Sequence, residues 1–142
     1  MENIIEIRSS NNHLRLSLEK NYGKAPFNKA VDLCFSLNIK CHEYFVESGT
    51  VYLDSRVLSE FARDLEKSQI NLNGVAKLYH EYEKNFELEI VFLKLGQVTV
   101  QGKYYGNYYN GTELTFNFET DQTFIGNTIR DIKSLVAAVH EE

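Results

Sequence analysis

The chain has no tryptophan, a single proline (Pro26), one methionine and two cysteines in 142 residues. So little proline, with only eight glycines, excludes collagen-like and low-complexity classes. No run approaches the roughly 18 uninterrupted apolar residues of a membrane span. The start, MENIIEIRSS, is acidic where a secretory signal needs a basic region followed by about 7 to 15 apolar residues, so a cytoplasmic location is expected. An excess of basic charge is also missing: 15 Lys and Arg face 20 Asp and Glu, a net charge of -5. A phosphate backbone calls for a basic stripe, which argues against nucleic acid as a direct partner.

Cysteine chemistry is equally sparse. Cys34 and Cys41 lie seven residues apart in an extended stretch, some 20 Å from each other at about 3.3 Å per residue, which predicts free thiols. Cys41 and His42 are adjacent on that strand, so they point to opposite faces, and neither opens a CxxC or HxxxH spacing. No metal and no cofactor is expected. His13, His42, His80 and His140 are scattered, His140 in the terminal tail, and no GxSxG, HExxH, GxGxxG or P-loop is present. Glu81/Glu83 and Glu87/Glu89 are carboxylate pairs at i, i+2 on segments that read as strands, so each pair shares a face. A solvated strand gives the same pattern, and no cleft is indicated that would shift a pKa for catalysis.

What the chain does have is aromatic content and alternation. Nine Phe and nine Tyr contribute 13% of the residues, and 43% are hydrophobic, enough to build one core in a single domain spanning 1–142. Leu14, Leu16 and Leu18 alternate with polar residues, as do Val31, Leu33, Phe35, Leu37 and Ile39, the signature of strands with one wet face. Further strands are predicted over 43–53, with a turn or bulge at Ser48-Gly49, and over about 75–82, 86–95, 98–105 and 114–118. Two segments change period: Val57, Leu58, Phe61 and Leu65 after Asp54, and Ile125, Ile129, Ile132, Val136 and Val139 after Asp121. Both read as amphipathic helices, each entered through a capping aspartate.

Sliding the chain by 67 positions places Asp54 on Asp121, Arg63 on Arg130, Asp64 on Asp131 and Leu58 on Ile125. The expected class is therefore α+β: a mainly antiparallel sheet system with two helices and an internal strand-strand-helix repeat.

Two surface features point to a partner. The segment GKYYGNYYNGTEL crowds Tyr104, Tyr105, Tyr108 and Tyr109 into a predicted loop, and tyrosines combine large contact area with low ordering cost. Residues 72–142 hold six basic and ten acidic groups, so -4 of the -5 lies in that half, centred on Glu81, Glu83, Glu87 and Glu89.

The segment GQVTVQGKYY, followed by LTFNFETDQTFI and an amphipathic helix, resembles the C-terminal half of the WapI-type bacterial immunity proteins. Gly96, Gly102, Phe116, Phe118, Thr120, Asp121, Gln122, Thr123 and Phe124 carry the likeness, which covers about 86–139. The N-terminal half fits more loosely, and the tryptophan that relatives often place at the start of AVDLCFSLNIKC is absent here. Thr120, Asp121, Gln122 and Thr123 read as a structural signature, with Asp121 as cap.

The resemblance implies a cytoplasmic, non-catalytic immunity protein that binds and neutralises the C-terminal domain of a polymorphic or contact-dependent toxin. An acidic face would suit a nuclease toxin. The alternatives are a small-molecule carrier or minor enzyme with an aromatic pocket inside a curved sheet, and a homo-oligomer joined through strand edges.

Overall fold

The computed structural model describes residues 3–24, 29–80, 82–106 and 112–141. Strands β1 (Ile4–Arg8), β2 (His13–Lys24), β3 (Val31–Cys41) and β4 (Tyr44–Asp54) form one antiparallel meander, followed by helix α1 (Ser55–Asn71). Strands β5 (Gly74–Tyr79), β6 (Phe86–Phe92), β7 (Gln97–Tyr104) and β8 (Leu114–Asp121) form a second, followed by α2 (Gln122–Glu141). The α+β class holds, but the single sheet system resolves into two sheets. The repeat is also larger than read from sequence: four strands and a helix in each half.

The 67-residue offset falls on matching positions, since β4 ends at Asp54 and β8 at Asp121. Asp54 Oδ1 accepts from Val57 N–H at 2.8 Å, and Asp121 Oδ1 accepts from Thr123 N–H at 2.9 Å. Each carboxylate thus satisfies an orphan N–H at a helix start. The halves are not superimposable in register: Asp54 faces Asp32, whereas Asp121 faces Gln97, the counterpart of Ala30. A slip of two residues keeps every side chain on its face, so the core pattern survives.

Strand β1 is an addition to the sequence reading. Between β3 and β4 the register shifts opposite Ser48, which adopts φ 56, so the bulge lies where Ser48-Gly49 suggested. The two acidic segments end earlier than expected. β5 stops at Tyr79 because His80 Nδ1 accepts from the N–H groups of Tyr82 and Glu83 at 3.1 and 3.2 Å, closing a turn. β6 stops at Phe92, before a 3₁₀ turn at Lys94–Gly96 in which Leu95 and Gly96 both have positive φ.

The inner faces of both sheets and one stripe of each helix form one buried cluster, with Phe35, Phe61, Phe86 and Phe118 its largest fully buried side chains. α1 packs along β5, α2 along β1, and the helices pack on each other. Close packing depends on two glycines. A Cβ on Gly102 would lie 2.2 Å from the Glu87 carbonyl and 2.7 Å from Phe116 Cζ, and one on Gly49 would lie 2.7 Å from the Tyr104 hydroxyl.

Several outward backbone groups of the edge strands are taken by other parts of the chain. The β4 residue Thr50 donates its N–H to Tyr104 Oη at 3.1 Å, and its carbonyl accepts from Asn85 Nδ2 at 2.8 Å. On β1, the Glu6 and Arg8 carbonyls accept from the hydroxyls of Thr128 and Thr120, both at 2.6 Å. On β8, the Asn117 carbonyl accepts from Cys41 Sγ at 3.3 Å and from His42 Nε2 at 3.1 Å.

Candidate functional site

The fold separates the residues that sequence reasoning grouped. Tyr104 ends β7 on the inward face of the alternation Val98, Val100, Gly102, Tyr104, and is 8% exposed. Its hydroxyl joins the two halves through Thr50, which is a structural task. Tyr105 is half-buried and donates its N–H to the Asn85 carbonyl at 2.8 Å. Tyr108, Tyr109 and Glu81 lie outside the described residues.

Glu87 and Glu89 do share the outer face of the second sheet, opposite Lys103 and Gln101, and Glu89 accepts a hydrogen bond from Gln101 at 3.3 Å. Glu83 is not on a strand: it sits in the His80 turn. Of the signature residues, Thr120 ties the end of β8 to β1, Asp121 caps α2, and Gln122 offers its carbonyl to Gln69 Nε2 at 2.9 Å, linking the two helices.

Both cysteines are free, and Cys41 faces the core while Cys34 faces outward, as an odd spacing on one strand requires. Burial pushes the Cys34 thiol above its ordinary range, against a hydrogen bond with Tyr52 that draws it down. His140 is on α2 rather than in a free tail, with Nε2 3.1 Å from Ser55 Oγ. Among the described residues no group of three or more His, Cys, Asp or Glu is placed to hold a metal ion.

A concavity of about 440 Å³ opens where the outer face of the first sheet meets the start of α1 and the β5–β6 turn. Asp32, Tyr52 and Asp54 come from paired strands, Tyr22 from the end of β2, Arg56 from the first turn of α1, and His80, Tyr82 and Glu83 from the turn. The element ends converge because β4 runs directly into α1 and α1 packs against β5, which feeds the turn.

Asp54 is only 5% exposed, and its Oδ2 lies 3.8 Å from His80 Nε2. His80 Nδ1 accepts two backbone N–H groups, so the neutral ring carries its proton on Nε2, toward Asp54. The 3.8 Å separation is longer than a hydrogen bond, so His80 Nε2 and Asp54 Oδ2 face each other without being bonded. The Tyr52 hydroxyl is held above its ordinary range, chiefly by Cys34, with Tyr22 and Glu83 adding to it.

Two further concavities continue the surface. One, of about 320 Å³, shares Arg56 and Val57 with the first; the other, of about 450 Å³ on the outer face of the second sheet, shares Lys77 and Tyr79 with it and includes Glu87 and Glu89. The result is one strip from Tyr22 to Glu89. Sequence reasoning found its glutamates but missed Asp32, Tyr52, Asp54 and His80 as members, because their alternation and capping patterns have sufficient structural explanations. Among the described residues, the inward residues of both sheets pack into the one cluster, and the polar residues lining the two concavities of about 440 and 450 Å³ come from outer faces, α1 and the β5–β6 turn.

A search of curated proteins finds no match to the sequence. A protein-family comparison does: residues 4–139 match the immunity protein WapI-like family, across both halves of the fold. Since that match takes in all eight strands and nearly all of α2, the chain belongs to the immunity protein WapI-like family.

Proposed function

We propose that this protein binds and neutralises the C-terminal domain of a cognate bacterial toxin without catalysing a reaction. The observation that carries the reading, beside family membership, is the continuous strip of tyrosines and carboxylates from the β2–β4 ends across α1 to the outer face of the second sheet. Tyr22, Tyr79 and Tyr82 are respectively 56%, 49% and 83% exposed there, more aromatic surface than isolated exposed residues explain. Tyrosine rings with one wet edge and interspersed carboxylates have the composition of a recognition surface.

Acidic groups on that surface favour a basic partner, through faster encounter and matched potentials. A toxin domain whose own active site binds nucleic acid would present such a surface, and blocking that site would neutralise it. Cytoplasmic encounter with the toxin completes the reading.

The test is co-expression with the C-terminal domain of a toxin encoded beside this gene. A stable complex and survival of the expressing cells are expected. Neither complex nor protection would remove the proposal. Charge reversal at Glu87 and Glu89 together should slow association and flatten its salt dependence while leaving the melting temperature within a few degrees of wild type.

A further inference from the structure

Resting on that reading, we propose that the concavity lined by Tyr22, Tyr52 and Tyr82 and by Asp32, Asp54 and Glu83 is the socket for one arginine side chain of the toxin domain.

The chemistry of the lining points to a guanidinium. Asp32 and Asp54 are direct cross-strand partners, an arrangement of like charges that sheets ordinarily avoid. Glu83 adds a third carboxylate from the turn. The one fixed cation of the lining, Arg56, is directed to Glu60 at 3.7 Å, one turn along α1, and not to the aspartates.

Asp54 supplies the sharper observation. It is buried, its Oδ1 is used by the helix cap, and its Oδ2 receives no hydrogen bond from a described residue, with His80 Nε2 3.8 Å away. Asp54 lines the concavity, so a carboxylate oxygen of a largely buried residue is left to accept from a donor placed there.

A planar cation suits this place better than a compact one. Three tyrosines are in the lining, and guanidinium stacks on aromatic rings while offering five N–H donors in a rigid fork. The volume of about 440 Å³ is ample for one such side chain. Ammonium would be more strongly hydrated and could not stack. Because the three carboxylates line one concavity together with three tyrosines, a matching arginine would contribute specificity as well as attraction.

The first arm of the test uses the isolated, isotopically labelled protein and N-acetyl-argininamide, followed by amide chemical shifts. Saturable shifts are expected at residues 32, 54, 80 and 82, none with the neutral isostere N-acetyl-citrullinamide, and weaker ones with N-acetyl-lysinamide. Asp54→Asn keeps a good helix cap while removing the charge, and Glu83→Gln leaves the cap untouched; both should weaken the effect at least fivefold. Equal response to arginine and citrulline, a stronger response to lysine, or indifference to both variants overturns the socket.

The second arm uses the complex with the toxin domain. Each variant should raise the Kd by roughly tenfold to a hundredfold, the size of a lost charged hydrogen bond. Mutating one toxin arginine should then add little to Asp54→Asn. Wild-type-like binding by both variants overturns the socket and leaves the immunity reading intact. Failure of the wild-type protein to bind the toxin domain removes the immunity reading, and the first arm still decides whether the concavity takes a guanidinium.

Discussion

Position 54 and position 121 hold the same residue, end the same strand of the repeat and cap the same kind of helix, yet their surroundings differ. Asp121 is exposed, faces Gln97, and gives one oxygen to the first turn of α2. Asp54 is buried, faces a second carboxylate, and has an oxygen to spare beside a cavity. Capping is the shared task, so it explains why both residues are aspartate. The surplus charge at Asp54 belongs to the first half alone, and that asymmetry locates the candidate site. The same logic applies to volume: Phe35 and Gly49 in the first half correspond to Gly102 and Phe116 in the second, so aromatic and glycine have exchanged strands. In the second half the glycine admits a ring from its own half; in the first it admits Tyr104 from the other.

The largest effect expected from breaking this correspondence is at the glycines. Gly102→Ala forces a methyl group against the Glu87 carbonyl and Phe116, and should cost about 3 kcal/mol in urea unfolding, at the upper end for overpacking. Gly49→Ala meets the far end of Tyr104 instead, and about 1–2 kcal/mol is expected. An equal cost at both positions would mean that Tyr104 is as immovable as a strand backbone.

The caps come next. Asp54→Ala should lose about 2 kcal/mol and Asp121→Ala about 1 kcal/mol, because only the first leaves a cap position buried. Asp54→Asn, which keeps the acceptor and removes the like charge opposite Asp32, should match or exceed wild-type stability. If it proves as damaging as the alanine change, the charge itself supports the fold and the contrast between the two aspartates disappears.

The smallest effect concerns Asp64 and Asp131, again 67 residues apart. Asp64 is exposed; Asp131 lies against the edge of β1, where burial raises its carboxyl above the ordinary 3.8, opposed by a backbone hydrogen bond from Glu6. The folded chain therefore binds this proton more tightly than the unfolded one. The resulting stability is complete below pH 3.8 and is lost as pH rises through the folded value. Asp131→Asn should flatten that part of the pH–stability curve and raise stability slightly at pH 7. Circular dichroism melts from pH 3 to 7 would show it.

Much of this architecture is legible in the sequence, and the limits have physical causes. Period-2 runs at Leu14–Leu18 and Val31–Ile39 identify β2 and β3, and the switch to helical spacing after each aspartate locates α1 and α2. β1 escapes because five residues, IIEIR, give too short an alternation beside the chain start. The alternation read over 75–82 runs on past Tyr79, whereas in the fold the side chain of His80 accepts from two backbone N–H groups and the chain turns there. Tyr104 looks like a member of a tyrosine loop by proximity, although counting in twos from Val98 already places it inside. The family signature around Gly102, Phe116 and Asp121 is legible because it is local. The cavity draws on β2, β3, β4, α1 and the β5–β6 turn, and no spacing in one stretch of sequence can announce a site assembled from five elements.

The hydroxyl of Tyr104, the amide of Asn85 and the hydroxyls of Thr120 and Thr128 occupy outward backbone groups where a foreign strand would otherwise align. At those places the main chain has already answered its own demand for partners. Recognition by strand addition is accordingly handicapped there, and what these places offer instead is side chains displayed on a finished scaffold. Specificity of that kind can drift by single substitutions at the rim without disturbing the hydrogen-bond ladder beneath, so one backbone can be retuned to many partners.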